Sequence, residues 1–330
     1  MAALRRVTVT AAVLAFASAV LGQTTSRTFH LTNVPTVAGL RELGVILRTL
    51  DTQSILVDEA NQDISISGTA DELALAGWLV QQLDVQNPPP TSQAYTVAGG
   101  NDTVRIFYLS HTPAQVPLNE LVTTLRTVGD IQRIFTYSPL HAVAIRTTVA
   151  QAQLAQWMVQ QMDIQSDKPA SGGRFDLSTP GRGSEIVEVV YLEHPLQGPG
   201  LNEIVTTIRT VADVQKIFTH SSTPQGIVFR SDASHVQLAD WLFHQIDAQP
   251  DAQARAQKHE YLIPDSTDPV ARIYYLNASG NPALYGMISA IRSEAEVRRI
   301  FFCNEPRTLA IRATPDKIAV AERIIKEQDR

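Results

Sequence analysis

Four segments of this chain end alike: WLVQQLD at Asp84, WMVQQMD at Asp163, WLFHQID at Asp247 and RIIKEQD at Asp329. The aspartates stand 79, 84 and 82 residues apart. A nearly fixed period of this kind marks a unit too small to bury its apolar surface alone and stacked on copies of itself. Six residues before each aspartate stand Trp78, Trp157, Trp241 and, in the last copy, Arg323. Fifteen before stand Thr69, Thr148, Asp232 and Thr314, whose side-chain oxygens suit a helix N-cap. Thr69 with Glu72 and Thr148 with Gln151 have capping-box spacing, and Pro315 suits a first helical turn.

One copy read through gives the unit. In copy two, Val104–Leu109 is a short apolar and aromatic strand. Leu118, Leu121, Val122, Leu125 and Val128 then recur at helical spacing, as do Leu201, Ile204, Val205, Ile208 and Val211 in copy three. Copy one keeps Leu40, Leu43, Leu47 and Leu50, and the pattern LNE-VTT-RTV-D is shared by copies two and three. A second strand (Gln132–Tyr137), a turn at Ser138-Pro139 and a third strand (Ala142–Arg146) follow. The closing helix places Leu154, Trp157, Met158 and Met162 on one face. The chain is therefore expected to be α+β, with tandem β-α-β-β-α modules at 27–84, 104–163, 187–247 and 270–329. Each module should carry two helices on one face of a small mixed sheet. The linkers are rich in Pro, Gly and Ser, and each holds an apolar piece: Tyr95–Val97, Phe175–Leu177 and Tyr261–Ile263. These pieces are expected to hairpin onto the first strand of the following copy. A module of about 60 residues is marginal alone, so neighbours should pack side by side.

The N-terminus has the form of a secretory signal. Arg5 and Arg6 precede an apolar and small-residue stretch, Val7–Leu21, and cleavage is expected after Ala19 or Gly22, giving a signal peptide over 1–22. The formal charge of −6 becomes −8 once those two arginines are removed. That balance argues against a binder of phosphate backbones, so no nucleic-acid partner is expected. No later segment has the roughly 20 apolar residues of a spanning helix, so no membrane span is expected after cleavage. The single cysteine, Cys303, excludes an intrachain disulfide and sits in an apolar run that suggests burial. The expected location is the periplasm of a Gram-negative-type cell.

Catalytic patterns are hard to find. The eight histidines, His30, His111, His141, His194, His220, His235, His244 and His259, show no HExxH-type spacing, and loop positions at the surface account for them better than metal ligation. There is no GxSxG, no Walker loop and no strand-coupled GxGxxG; Gly181 and Gly183 around Arg182 read as linker flexibility. No enzyme activity, cofactor or metal is expected. The tryptophans, in phase with Leu75, Leu154 and Leu238, read as packing between helix and sheet.

The face of the sheet away from the helices is more informative. In the third strands Val143/Ile145, Ile227/Phe229 and Leu309/Ile311 alternate with neighbours that include Arg146, Arg230 and Arg312. If the aliphatic set faces the helices, the arginines point away from them. The second strands add Arg133, Lys216 and Arg299 near Phe135, Phe218 and Phe301. Either that phenylalanine column or Ile134/Ile217/Ile300 lies off the helix-covered core. These nine basic and phenylalanine residues are the candidate partner-contact surface, the alternative being packing of one module on the next within the chain.

With that unit in hand, the sequence resembles the short periplasmic repeat domain of type II and III secretins. Copy one carries the resemblance best, SILVDEANQDISISGTADELALAGWLVQQLD over Ser54–Asp84, and RIFYL (Arg105–Leu109), VVYL (Val189–Leu192) and RIYYL (Arg272–Leu276) extend it. Secretins continue into a membrane-embedded barrel, whereas this chain stops at Arg330 after a fourth module. It is therefore not expected to form an outer-membrane gate by itself. The resemblance implies protein–protein assembly in the cell envelope, by binding other envelope proteins or by self-association through sheet faces and edges. The alternative is a KH-like nucleic-acid-binding repeat, because β-α-β-β-α also describes KH folds. No GxxG loop stands at a helix–helix junction to support it.

Overall fold

The computed structural model describes residues 24–34, 36–50, 54–112, 115–165, 170–179, 183–277 and 281–329. The signal peptide expected over 1–22 lies outside the described residues. Unit one runs β1 (Thr25–His30), α1 (Val37–Leu50), β2 (Ser54–Asp58), β3 (Asp63–Gly68) and α2 (Ala70–Leu83). Unit two runs β4 (Gln93–Thr96), β5 (Asp102–Tyr108), α3 (Gln115–Thr127), β6 (Arg133–Tyr137), β7 (Ala142–Thr148) and α4 (Val149–Met162). Unit three runs β8 (Gly173–Thr179), β9 (Gly183–Tyr191), α5 (Gly200–Val211), β10 (Lys216–His220), β11 (Gly226–Ser231) and α6 (Ala233–Asp247). After the short α7 (Ala252–Arg255), unit four runs β12 (His259–Leu262), β13 (Val270–Tyr275), α8 (Asn281–Glu294), β14 (Arg299–Cys303), β15 (Thr308–Ala313) and α9 (Pro315–Gln328).

The strand orders are β1-β3-β2, β4-β5-β7-β6, β8-β9-β11-β10 and β12-β13-β15-β14. Every neighbouring pair is antiparallel, which corrects the expected mixed sheet. The helical crossover sends the first and second strands in the same direction, but the third strand inserts between them. The linker pieces do form hairpins: Gln93 pairs with Ile106, Phe175 with Val187 and Tyr261 with Ala271.

The closing helices begin where the capping chemistry placed them. Thr69 and Glu72 form a reciprocal capping box, worth about 1 kcal/mol against Ala at the cap. Thr148 and Asp232 accept first-turn amides, while Thr314 makes no side-chain cap and Pro315 opens α9. The terminal aspartates of the repeat are locks. Asp84 accepts from the amides of Thr32 and Asn33, Asp163 from Ser110, His111 and the Thr112 hydroxyl, Asp247 from Glu193 and His194, and Asp329 from Asn277. Each ties the end of the closing helix to the loop that leads into the unit's first long helix.

Three of the four apolar cores cross from one unit to the next. Unit one shares a core with Val104, Ile106, Tyr137, Leu140, Ala142 and Ala144 of unit two. Unit two shares one with Leu177, Val187, Val189 and Val228 of unit three. Unit three shares one with Ile263, Ala271, Ile273, Cys303 and Ala310 of unit four. The fourth core is confined to unit four. The first helix of a unit thus lies between its own sheet and the sheet of its successor.

Candidate functional site: the joints between stacked sheets

The alternation of the strands fixes which side chains meet the preceding unit. Ile134 and Ile217 are buried in their own unit's core, whereas Phe135, Phe218 and Phe301 pack half-buried against the unit before. All the candidate partner-contact residues except Arg133 therefore line joints inside the chain. Arg146 donates to the Leu50 carbonyl at 2.8 Å, Arg230 to Val128 at 3.0 Å and Arg312 to Val211 at 3.2 Å. Each acceptor lies in or just past the last turn of the preceding unit's first helix, where free carbonyls and the helix dipole favour a cation.

Carboxylates complete the charge balance. Arg146 pairs with Asp102 at 3.2 Å, Arg230 with Asp130 at 3.1 Å and also with Glu185, and Arg312 with Asp213 at 3.6 Å. The second-strand cations share the same acids: Lys216 reaches Asp130 at 2.6 Å and Arg299 reaches Asp213 at 2.8 Å. Asp130 and Asp213 sit just beyond the helix in left-handed backbone, φ 56° and 57°. Arg133 is exposed, and no partner is recorded for it among the described residues.

Two further columns belong to the joints and were not singled out from sequence. At the other end of the first helix, Glu42 accepts from the Ser138 amide at 2.7 Å and hydroxyl at 2.9 Å. Glu120 does the same with Ser221, and Glu203 accepts from the Asn304 amide at 2.7 Å and its side-chain amide at 2.5 Å. The shared LNE tripeptide already contained two of these glutamates. The hydroxyls of Tyr108, Tyr191 and Tyr275 donate to the carbonyls of Gln82, Gln161 and Gln245 at the end of the preceding closing helix, at 3.0, 2.5 and 2.6 Å. Burial pushes Tyr108 and Tyr275 up to about 12, so they remain donors.

The tryptophans pack between helix and sheet, and the sheet is that of the next unit. Leu75, Leu154 and Leu238 fill the core, while the tryptophans three residues on flank it, half-buried. Trp78 packs on Tyr95, Trp157 on Phe175 and Trp241 on Tyr261, with centroids 5.4, 5.5 and 5.6 Å apart and planes tilted by 42–43°. Each partner ring lies on the added edge strand of the next unit.

Two histidines stand at joints: His259 of β12 bonds the Gln245 side chain of α6 at 2.6 Å, and His220 lies buried. It is 5% exposed, its Nδ1 lacks a hydrogen-bond partner, and Glu120 lies 3.8 Å away. Burial lowers its pKa, and the nearby Glu120 carboxylate partly opposes this. His30, His235 and His244 make surface pairs with Asp63, Asp232 and Asp240. Cys303 is buried beside Thr207, 3.1 Å away, with its thiol pushed up to about 12 by burial. Among the described residues no group of three or more His, Cys, Asp or Glu could hold a metal ion, and no helix is long and apolar enough to cross a membrane.

The two ends of the stack depart from the joint pattern. The outer face of the first sheet carries Ser26, Ser67 and Ser54 in one row and Thr28, Ser65 and Leu56 in the next, with Ser26–Ser67 and Thr28–Ser65 hydroxyl pairs. Arginine and phenylalanine occupy the corresponding places in unit two: Ser67 stands where Arg146 does, and Leu56 where Phe135 does. In α8, Gly286 stands where Glu42, Glu120 and Glu203 do, and Arg323 replaces the tryptophan and pairs with Glu294.

No family model matches the chain, and no curated protein does. Among solved structures, the N-terminal domain of the secretin XcpQ from Pseudomonas aeruginosa overlaps 43% of this chain and 63% of its own length, at 15% identity and a TM-score of 0.20. The type II secretion system secretin GspD of E. coli K12 overlaps 68% of this chain and 39% of its own, at 15% identity and a TM-score of 0.17. An aspartate kinase from Synechocystis overlaps 93% and 54%, at 12% identity and a TM-score of 0.19. At these scores none of the overlaps assigns the chain to a family.

Proposed function

We propose that the chain is a non-enzymatic exported scaffold, four secretin N-domain-like modules at 27–84, 104–163, 187–247 and 270–329 held in a fixed stack, that mediates protein–protein assembly in the cell envelope. The observation that carries this reading is the thrice-repeated joint. The same arginine, glutamate, phenylalanine and tyrosine positions bind each unit to the next, so the chain's recurrent chemistry serves its own rigidity. A stiff stack keeps the sheet edges at a set pitch, and edge strands are natural places for a partner's strand to add. The KH-like alternative is disfavoured by the same geometry, since the sheet faces that would stack bases lie under a helix in units two to four.

The polar outer face of unit one and the missing glutamate and tryptophan of unit four suit a finite stack that does not propagate end to end by this joint. The test is solution scattering with mass determination on the purified chain, followed by in-cell cross-linking from cysteines placed on β6 and β10 edges. A stiff extended particle of discrete mass, with cross-links to envelope proteins, is expected. Modules that tumble independently, or a particle that cross-links to nothing in envelope extracts, would sink the reading.

A further inference from the structure

A cavity of ≈ 590 Å³ beside the last joint is lined by Arg292, Arg298, Arg299, Arg312 and Lys317, with Asp268 and Glu296 as its acids. Five cations face two carboxylates in a chain whose formal charge is −6. Two of the cations are already engaged: Arg299 with Asp213 and Asp268, and Arg312 with Val211, Ser266 and the Asp268 carbonyl. Burial and the neighbouring Arg299 charge both disfavour the Arg312 cation. Lys317 donates to the Glu296 carbonyl at 3.1 Å and lies 3.5 Å from its carboxylate, which is 79% exposed. Arg292 and Arg298 are exposed, and no partner is recorded for either among the described residues.

The other units show that this charge is not required by the fold. Arg298 precedes the second-strand cation, where unit two has Gln132 and unit three Gln215. Lys317 stands three residues past the N-cap, where those units have Gln151 and His235. Gln151 makes the bond that Lys317 makes, donating to the carbonyl of Asp130 at 3.2 Å. Unit four thus has Arg or Lys where units two and three have Gln or His, at two places that open into one cavity. Arg292 has also lost the strand-carbonyl bond that Arg126 and Arg209 make to Ile134 and Ile217, both at 2.9 Å.

We propose that this cavity binds a small phosphate-class oxyanion, held by Arg292, Arg298 and Lys317 against the fixed Arg299–Arg312 pair. Guanidinium forks suit the spacing of phosphate oxygens, and cations converging from α8, β14, β15 and α9 on one half-open cleft fit a compact ligand better than a stripe would. An extended acidic peptide is the competing occupant.

The probes are inorganic phosphate and pyrophosphate, titrated into the purified chain by calorimetry at constant ionic strength, because screening alone shifts any charged surface. The variant is R298Q/K317Q, which writes into unit four the residues of unit two. Circular dichroism and the thermal midpoint report whether it folds, and R298Q alone serves if it does not. Saturable binding to the native chain, stronger for pyrophosphate and weakened by about tenfold or more in the variant, is expected. Absence of saturable binding to both anions, or equal affinity in native chain and folded variant, overturns the proposal. A glutamate-rich peptide that binds and is not displaced by pyrophosphate overturns it in favour of a protein partner.

Discussion

Arg230→Met is the most direct test of the joint chemistry. The Arg230 side chain is 4% exposed and holds three groups at once: the Val128 carbonyl, Asp130 and Glu185. A hydrogen bond to a charged group is worth about 1.5–3 kcal/mol, and removing one side of a buried pair costs about 3–5 kcal/mol. Asp130 and Glu185 are 35% and 24% exposed, so water takes over part of their solvation once the guanidinium is gone. Lys216 also remains on Asp130, and methionine keeps the apolar stem in place. These considerations pull the loss to the low end, about 3 kcal/mol. Urea unfolding followed by tryptophan fluorescence and circular dichroism measures it. Arg41→Gln, which breaks the exposed pair between Arg41 of α1 and Glu59 in the β2–β3 turn, is the control and should leave the transition unmoved. If R230M shifted stability by less than about 0.5 kcal/mol, the joint would be apolar packing with ornamental charges and the scaffold argument would lose its main support.

Three other outcomes follow from single sites. Asp163→Ala strips the lock from two amides and a hydroxyl and should cost about 2 kcal/mol, read from urea midpoints; an unchanged midpoint would show that the repeat's aspartate does not hold the closing helix. His220 has its folded-state pKa lowered below the unfolded value of about 6.5, so the unfolded chain takes the proton first. Its contribution is therefore present above that pH and lost as pH falls towards and through the depressed value. His220→Phe should remove this pH dependence, so that the native-minus-variant stability difference shrinks as pH falls across that window; a difference that stays constant with pH would refute the assignment. Cys303, buried and with its thiol pushed up to about 12, should resist a thiol reagent in the native chain and react fully in denaturant; rapid native labelling would contradict its place in the last joint.

Local chemistry was the most readable part of this sequence. Thr69 with Glu72, and Asp232 with the two amides after it, act over three residues, so the start of each closing helix is visible in the string itself. The strand alternation also told correctly that Arg146, Arg230 and Arg312 point away from their own helices. It could not tell what covers them, because the covering atoms lie far along the chain: Arg146 meets Leu50, 96 residues before it, and Arg312 meets Val211, 101 before it. The expectation of a mixed sheet fails for a related reason. A strand, helix, strand string suggests adjacent parallel partners, and only the third strand's insertion between them makes the sheet antiparallel.

The tryptophan column shows that helical phase leaves open which sheet a helix grips. Helical phase put Trp78, Trp157 and Trp241 beside core leucines, and phase cannot distinguish the centre of an apolar face from its flank. The fourth copy resolves the matter, because Arg323 occupies the same helical position and α9 forms without a tryptophan there. A residue needed for the helix-to-sheet core would be retained in all four units, and the tryptophan, which grips an edge-strand ring in three of them, is not. The same reasoning applies to Gly286 in the glutamate column and to Ser67 in the arginine column. Departures from the period thus separate what a unit needs for its own core from what it needs for its neighbour, a distinction that the matches alone cannot make.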